Sequence, residues 1–141
     1  MTTVPTTLVL LDPSSDDGET ALQLLSASDD HVALVTLISG RMSRALRDYA
    51  ISEDIDLITA GWLYLDQVVA RVDATSREVQ TILADGPDIA RELATIAAGM
   101  VVRRILLPSS LGRIDAGARD RLRAGAAAPI VMAEEQVTAP R

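Results

Sequence analysis

A chain of 141 residues has room for one domain and one hydrophobic core. With 48% hydrophobic and 23% charged residues it is too apolar for disorder, yet its longest apolar runs fall far short of the roughly 20 residues that cross a bilayer. Net charge is −7, all 13 basic residues are arginine, and cysteine is absent, which excludes disulfides, thiolate metal sites and any lysine chemistry, and disfavours nucleic acid and anionic membranes as partners.

The N-terminus, Met1-Thr2-Thr3-Val4-Pro5, has neither the basic start nor the long apolar stretch of a secretory signal, so a cytoplasmic protein is expected. Short β-like runs then alternate with segments of helical period, the pattern of a parallel sheet covered by helices. Five strands are predicted: Thr7–Leu11, Val32–Ile38, Val79–Leu83, Arg104–Leu107 and Ile130–Ala133. They are too continuously apolar for a sheet wet on one face, so helices should cover both faces.

The first helix starts at Asp16, which can cap it while Glu19 reaches back in capping-box fashion, and Ala21, Leu22, Leu24 and Leu25 should face inward. The arginine-rich connection from Ser39 to about Ile51 is expected to be partly helical. Ile51, Ile55, Ile58, Trp62, Leu65, Val69 and Val72 are spaced by four and three residues in turn along one helix face, which could be a seam for a partner helix but is expected to be buried against the domain's own sheet, with Trp62 largely enclosed. A third helix opens at Gly86-Pro87-Asp88 and should bury Ile89, Leu93, Ile96 and Met100, with Arg91 and Glu92 outward. A fourth, alanine-rich helix runs roughly over Asp115–Ala126, and Pro129 opens the last strand. The segment after Gln136 is expected to fray. Neither a repeat nor a linker divides the chain, so residues 1–141 form a single doubly wound α/β domain, its core at about 6–137.

Ligands of open parallel sheets bind beyond the carboxyl ends of the strands. The polar loops there are Leu11-Asp12-Pro13-Ser14-Ser15-Asp16-Asp17-Gly18 after strand one and Leu107-Pro108-Ser109-Ser110-Leu111-Gly112-Arg113 after strand four. Asp12 directly follows four apolar residues, which places its carboxylate at the sheet rim as an acceptor, or as a plain turn residue. Asp16 and Asp17 suit a helix start. His31, the only histidine, lacks a nucleophile or second ligand at motif spacing, and no Gly-x-Ser-x-Gly elbow holds a serine. No catalytic or metal set emerges, so a non-enzymatic role is expected.

The order of these features resembles the universal stress protein family over nearly the whole chain. Leu8-Val9-Leu10-Leu11-Asp12-Pro13-Ser14-Ser15 resembles its first strand and loop, and Asp85-Gly86-Pro87-Asp88-Ile89-Ala90-Arg91-Glu92-Leu93 its glycine-containing helix start. Ile105-Leu106-Leu107-Pro108-Ser109-Ser110 resembles its fourth strand and loop, and Ala128-Pro129-Ile130-Val131-Met132 its proline-led last strand.

The resemblance implies strand order 3-2-1-4-5, a stress-linked regulatory role and a homodimer through the last strand, with residues to about Val137 helping. It also implies ATP or another adenine nucleotide as the ligand class. A crevice of Asp12, Pro13, Ser14 and Ile38 would lie against the adenosine, and Pro108, Ser109, Ser110, Gly112 and Arg113 would lie against phosphate. The family's phosphate loop reads Gly, two residues, Gly, nine residues, Gly, then Ser or Thr. Here Pro108 takes the first glycine place and Leu111 the second, unless Gly112 serves after a one-residue slip, and Gly117 follows after only four residues. The loop is shortened, and ATP binding is expected to be weak or absent. Two alternatives remain. Ser109, Ser110 and Arg113 could replace the glycine-loop amides in a competent nucleotide site, since arginine holds phosphate bidentately. A phospho-accepting receiver domain would use Asp12 and Asp85, but such domains need a lysine that this chain lacks.

Overall fold

The computed structural model describes residues 5–13, 31–38, 40, 43–71, 78–86, 88–108, 117–125 and 130–132. The elements in chain order are β1 (Thr6–Leu10), β2 (His31–Leu37), α1 (Arg44–Glu53), α2 (Leu57–Val69), β3 (Val79–Ala84), α3 (Ile89–Ala98), β4 (Val102–Leu107), α4 (Ala118–Gly125) and β5 (Ile130–Met132). The predicted first helix, with Asp16 and Glu19, lies outside the described residues.

All strand pairs are parallel, in the order β3-β2-β1-β4-β5. The apolar runs of β1, β2 and β4 become strands because each has helix to bury against on both faces. Leu8, Leu10, Ala33, Val35, Leu37, Ile105 and Leu107 pack with Ile89, Ala90 and Leu93 of α3 and Ala118 and Leu122 of α4. Their strand neighbours Val9, Leu11, Val32, Leu34 and Leu106 point to the opposite face and pack with Leu65 and Val68 of α2. The fourth strand starts two residues before its predicted position, because Thr6 pairs with Val102 ahead of an irregularity after which Thr7 pairs with Arg104. There the buried Thr7 hydroxyl accepts from Arg104 Nε at 3.4 Å, which gives a charged residue a polar partner inside the sheet.

The long apolar stripe is not one helix. Asp54 adopts a left-handed conformation at φ 54° and its amide donates to the carbonyls of Ala50 and Ile51, which closes α1. Asp56 then caps α2, its carboxylate accepting from the Thr59 amide at 2.7 Å. The break splits the stripe in space. Leu65 is fully buried, whereas Ile51 is 79%, Ile58 55% and Trp62 41% exposed, so the expectation of an enclosed Trp62 is corrected. The seven-residue spacing persists across the break by coincidence of lengths, and two short helices do not present one face to the sheet. Val72 lies outside the described residues.

Two glycines set the approach of helices to the sheet. A Cβ at Gly61 would come within 2.6 Å of Leu83 Cδ1 and 3.3 Å of Ile38 Cγ2, so α2 reaches the β2–β3 end of the sheet only without a side chain there. At Gly86 a Cβ would overlap the Glu92 carboxylate folded back over it. Asp88 caps α3 by accepting from the Arg91 amide at 3.3 Å, and Ile89 and Leu93 are buried with Ile96 and Met100 packed at the margin. Among the described residues no helix is long and apolar enough to cross a membrane.

Candidate functional site

The carboxyl ends of β2, β1 and β4 lie side by side, and each carries a residue singled out from sequence. β1 leads through Leu11 into Asp12 and Pro13. The Leu11 amide donates to the Val35 carbonyl at 2.8 Å, and the buried Thr36 hydroxyl donates to the Leu11 carbonyl at 3.3 Å. With the chain held on both sides of Leu11, Asp12 is drawn down into the protein and is only 2% exposed. It therefore sits below the rim that the sequence suggested. Ile38, half-buried, continues β2 by donating its amide to the Ala84 carbonyl at 2.9 Å. Pro108 follows β4 and is buried. Ser14, Ser109, Ser110, Gly112 and Arg113 lie outside the described residues, so of the proposed crevice the structure describes Asp12, Pro13, Ile38 and Pro108, which follow the ends of three neighbouring strands.

The loop after β2 is tied down by one carbonyl. Gly40, at φ 75°, accepts through its oxygen from the Ser43 hydroxyl at 2.8 Å, the Arg47 guanidinium at 3.1 Å and the Ser43 amide at 3.4 Å. Only glycine adopts that dihedral without strain, and the three donors fix the start of α1 over the β1 end.

The same end of the sheet holds residues that the motif reading passed over. Pro13, Ala45 and Leu46 with Tyr49 of α1, and Tyr64 with Gln67 of α2, line a pocket of about 190 Å³. Burial pushes the Tyr64 hydroxyl up to about 12, the nearby Asp12 carboxylate adds to the rise, and the Arg71 guanidinium opposes it. Tyr64 thus remains a protonated donor throughout the neutral range. A usable signal was present in the composition: the chain has no phenylalanine and only two tyrosines, and both line this pocket.

His31 lies at the opposite, amino end of the sheet, where its Nδ1 accepts from the Glu78 amide at 2.9 Å. The neutral ring therefore carries its proton on Nε2 and joins β2 to the segment before β3, far from the strand-end crevice. Asp85 is exposed at the end of β3. Among the described residues no three histidine or acidic side chains gather as a metal site.

No protein-family model and no curated protein matches the chain. Solved structures do. A universal stress protein from Archaeoglobus fulgidus in complex with dAMP superposes with a TM-score of 0.59 at 16% identity, covering 94% of this chain and 98% of that one. A member of the universal stress protein family from Burkholderia pseudomallei gives 0.59 at 20% identity, over 90% and 93% of the two chains. A universal stress protein in complex with cAMP gives 0.57 at 12% identity, over 93% and 97%. This chain has the universal stress protein fold.

The likeness spans at least 90% of the chain, in agreement with the resemblance carried by the sequence segments around Asp12, Gly86, Pro108 and Ile130. Within the universal stress protein fold, Asp12 and Ile38 end neighbouring strands, and Pro108 starts the loop where the family pattern opens with glycine. The pocket between α1 and α2 has Pro13 in common with that set of residues, and among the described residues no other.

Proposed function

We propose that this chain is a non-enzymatic, cytoplasmic regulatory module of the universal stress type, a homodimer whose strand-end crevice binds ATP weakly or not at all. Its fold neighbours include proteins solved with dAMP and cAMP, which supports an adenine nucleotide as the ligand class for which such a crevice is suited. The observation that carries the reading is Pro108, buried directly after β4.

Phosphate recognition by a glycine loop needs several backbone amides pointing inward together. Pro108 has no amide to give and fixes its own dihedral, and Leu111 adds bulk at the second glycine place. Loss of two or three charge-assisted hydrogen bonds of roughly 1.5–3 kcal/mol each weakens a complex by several orders of magnitude. The sheet order supports homodimerisation: among the described residues β5 is an edge strand, and pairing with a second copy would cover that edge.

Mass spectrometry of small molecules released from the purified protein tests the reading. The expected result is no stoichiometric ATP. Retained ATP that disappears in Arg113→Ala would overturn it in favour of a competent site in which arginine replaces the loop amides.

A further inference from the structure

The chain has three aromatic residues, and two of them, Tyr49 and Tyr64, converge on one cavity although they come from different helices. Leu46, Ala45 and Pro13 supply apolar wall, and the Gln67 amide adds a second polar group. At about 190 Å³ the space suits one ring or a small fused pair, since a dry apolar cavity of roughly 150 Å³ accommodates benzene. We propose that this pocket binds a small, uncharged, planar ring compound bearing a hydrogen-bond acceptor.

The lining dictates that chemistry. Tyr64 keeps its proton at neutral pH and donates; burial, together with an Asp12 carboxylate whose effect outweighs that of the Arg71 guanidinium, makes the site unfavourable for an anion. The Gln67 amide can donate or accept, and the aliphatic groups favour the faces and edges of a flat apolar ring. A phosphorylated ligand belongs instead to the crevice at the strand ends. Among the described residues the two sites have only Pro13 in common, so ring binding is read at the amides of Ala45, Leu46 and Gln67 and nucleotide binding at those of Asp12 and Ile38.

Titration of the full chain with benzamide and with benzoate, followed by amide NMR, tests this. Benzamide is expected to shift Ala45, Leu46 and Gln67, with benzoate binding about tenfold more weakly because of its charge. Tyr64→Phe should weaken benzamide about tenfold and leave toluene, which has no acceptor, unchanged. Ala45→Leu, which narrows the pocket, should abolish the shifts at an unchanged thermal midpoint. Absence of benzamide shifts, shifts centred on Asp12 and Ile38, equal binding of benzoate, or equal loss of benzamide and toluene in Tyr64→Phe would each overturn the proposal.

Discussion

Leu65→Ala and Ile51→Ala, two changes on a single apolar stripe, should differ sharply in cost. Leu65 of α2 is fully enclosed with Val9, Leu11 and Leu34. Its truncation removes three buried carbons, about 2.4 kcal/mol at roughly 0.8 kcal/mol each, and the cavity left behind raises the total to about 3–4 kcal/mol. Ile51, near the end of α1, is 79% exposed. It recovers only about a fifth of the same transfer energy, near 0.5 kcal/mol, and the better helix propensity of alanine offsets most of that. Urea denaturation of both variants, read at constant m-value, gives the comparison directly. A loss below about 1 kcal/mol at Leu65, or above about 2 kcal/mol at Ile51, would refute the division of the stripe into two helices with separate faces.

Asp56 is held below its ordinary value of 3.8 by the Thr59 amide and hydroxyl, so its cap is intact above that pH and is lost as pH falls through the lower folded value. Asn caps a helix without titrating, so Asp56→Asn should gain on the wild type as pH drops from 7 to about 2.5 in thermal melts, and a constant difference would contradict the cap. Gly61→Val should destabilise by about 1–3 kcal/mol, because a side chain there meets Leu83 and Ile38; unchanged or raised stability in denaturant would count against the close approach of α2. Light scattering should give twice the 15.0 kDa chain mass at micromolar concentration, and a clean monomer would remove the edge-strand dimer.

The strands were legible because their signal is local and nearly unambiguous: a short continuous apolar run such as Val32–Leu37 has no other stable place than between two helix layers. The placement of Asp12 and Pro108 at strand ends followed from the same runs. The break between α1 and α2 was missed because the four-and-three spacing from Ile51 to Val69 passes through it unaltered. Asp54 and Asp56 carried the true signal, one tolerating a left-handed turn and the other capping the next helix. The pocket was not legible from motifs, since Tyr49 and Tyr64 are far from any strand end in sequence and meet Pro13 only through packing of α1 and α2. That Asp12 is buried rather than presented at the rim follows from the Thr36 hydrogen bond to Leu11, a tertiary contact across 25 residues.

The central claim is that a crevice suited to an adenine nucleotide has lost its grip on phosphate at Pro108. Calorimetric titration with ATP, with and without magnesium, tests it most directly. The account predicts no saturable heat up to about millimolar ATP, the level reached when several charge-assisted hydrogen bonds are missing. A micromolar dissociation constant would contradict it.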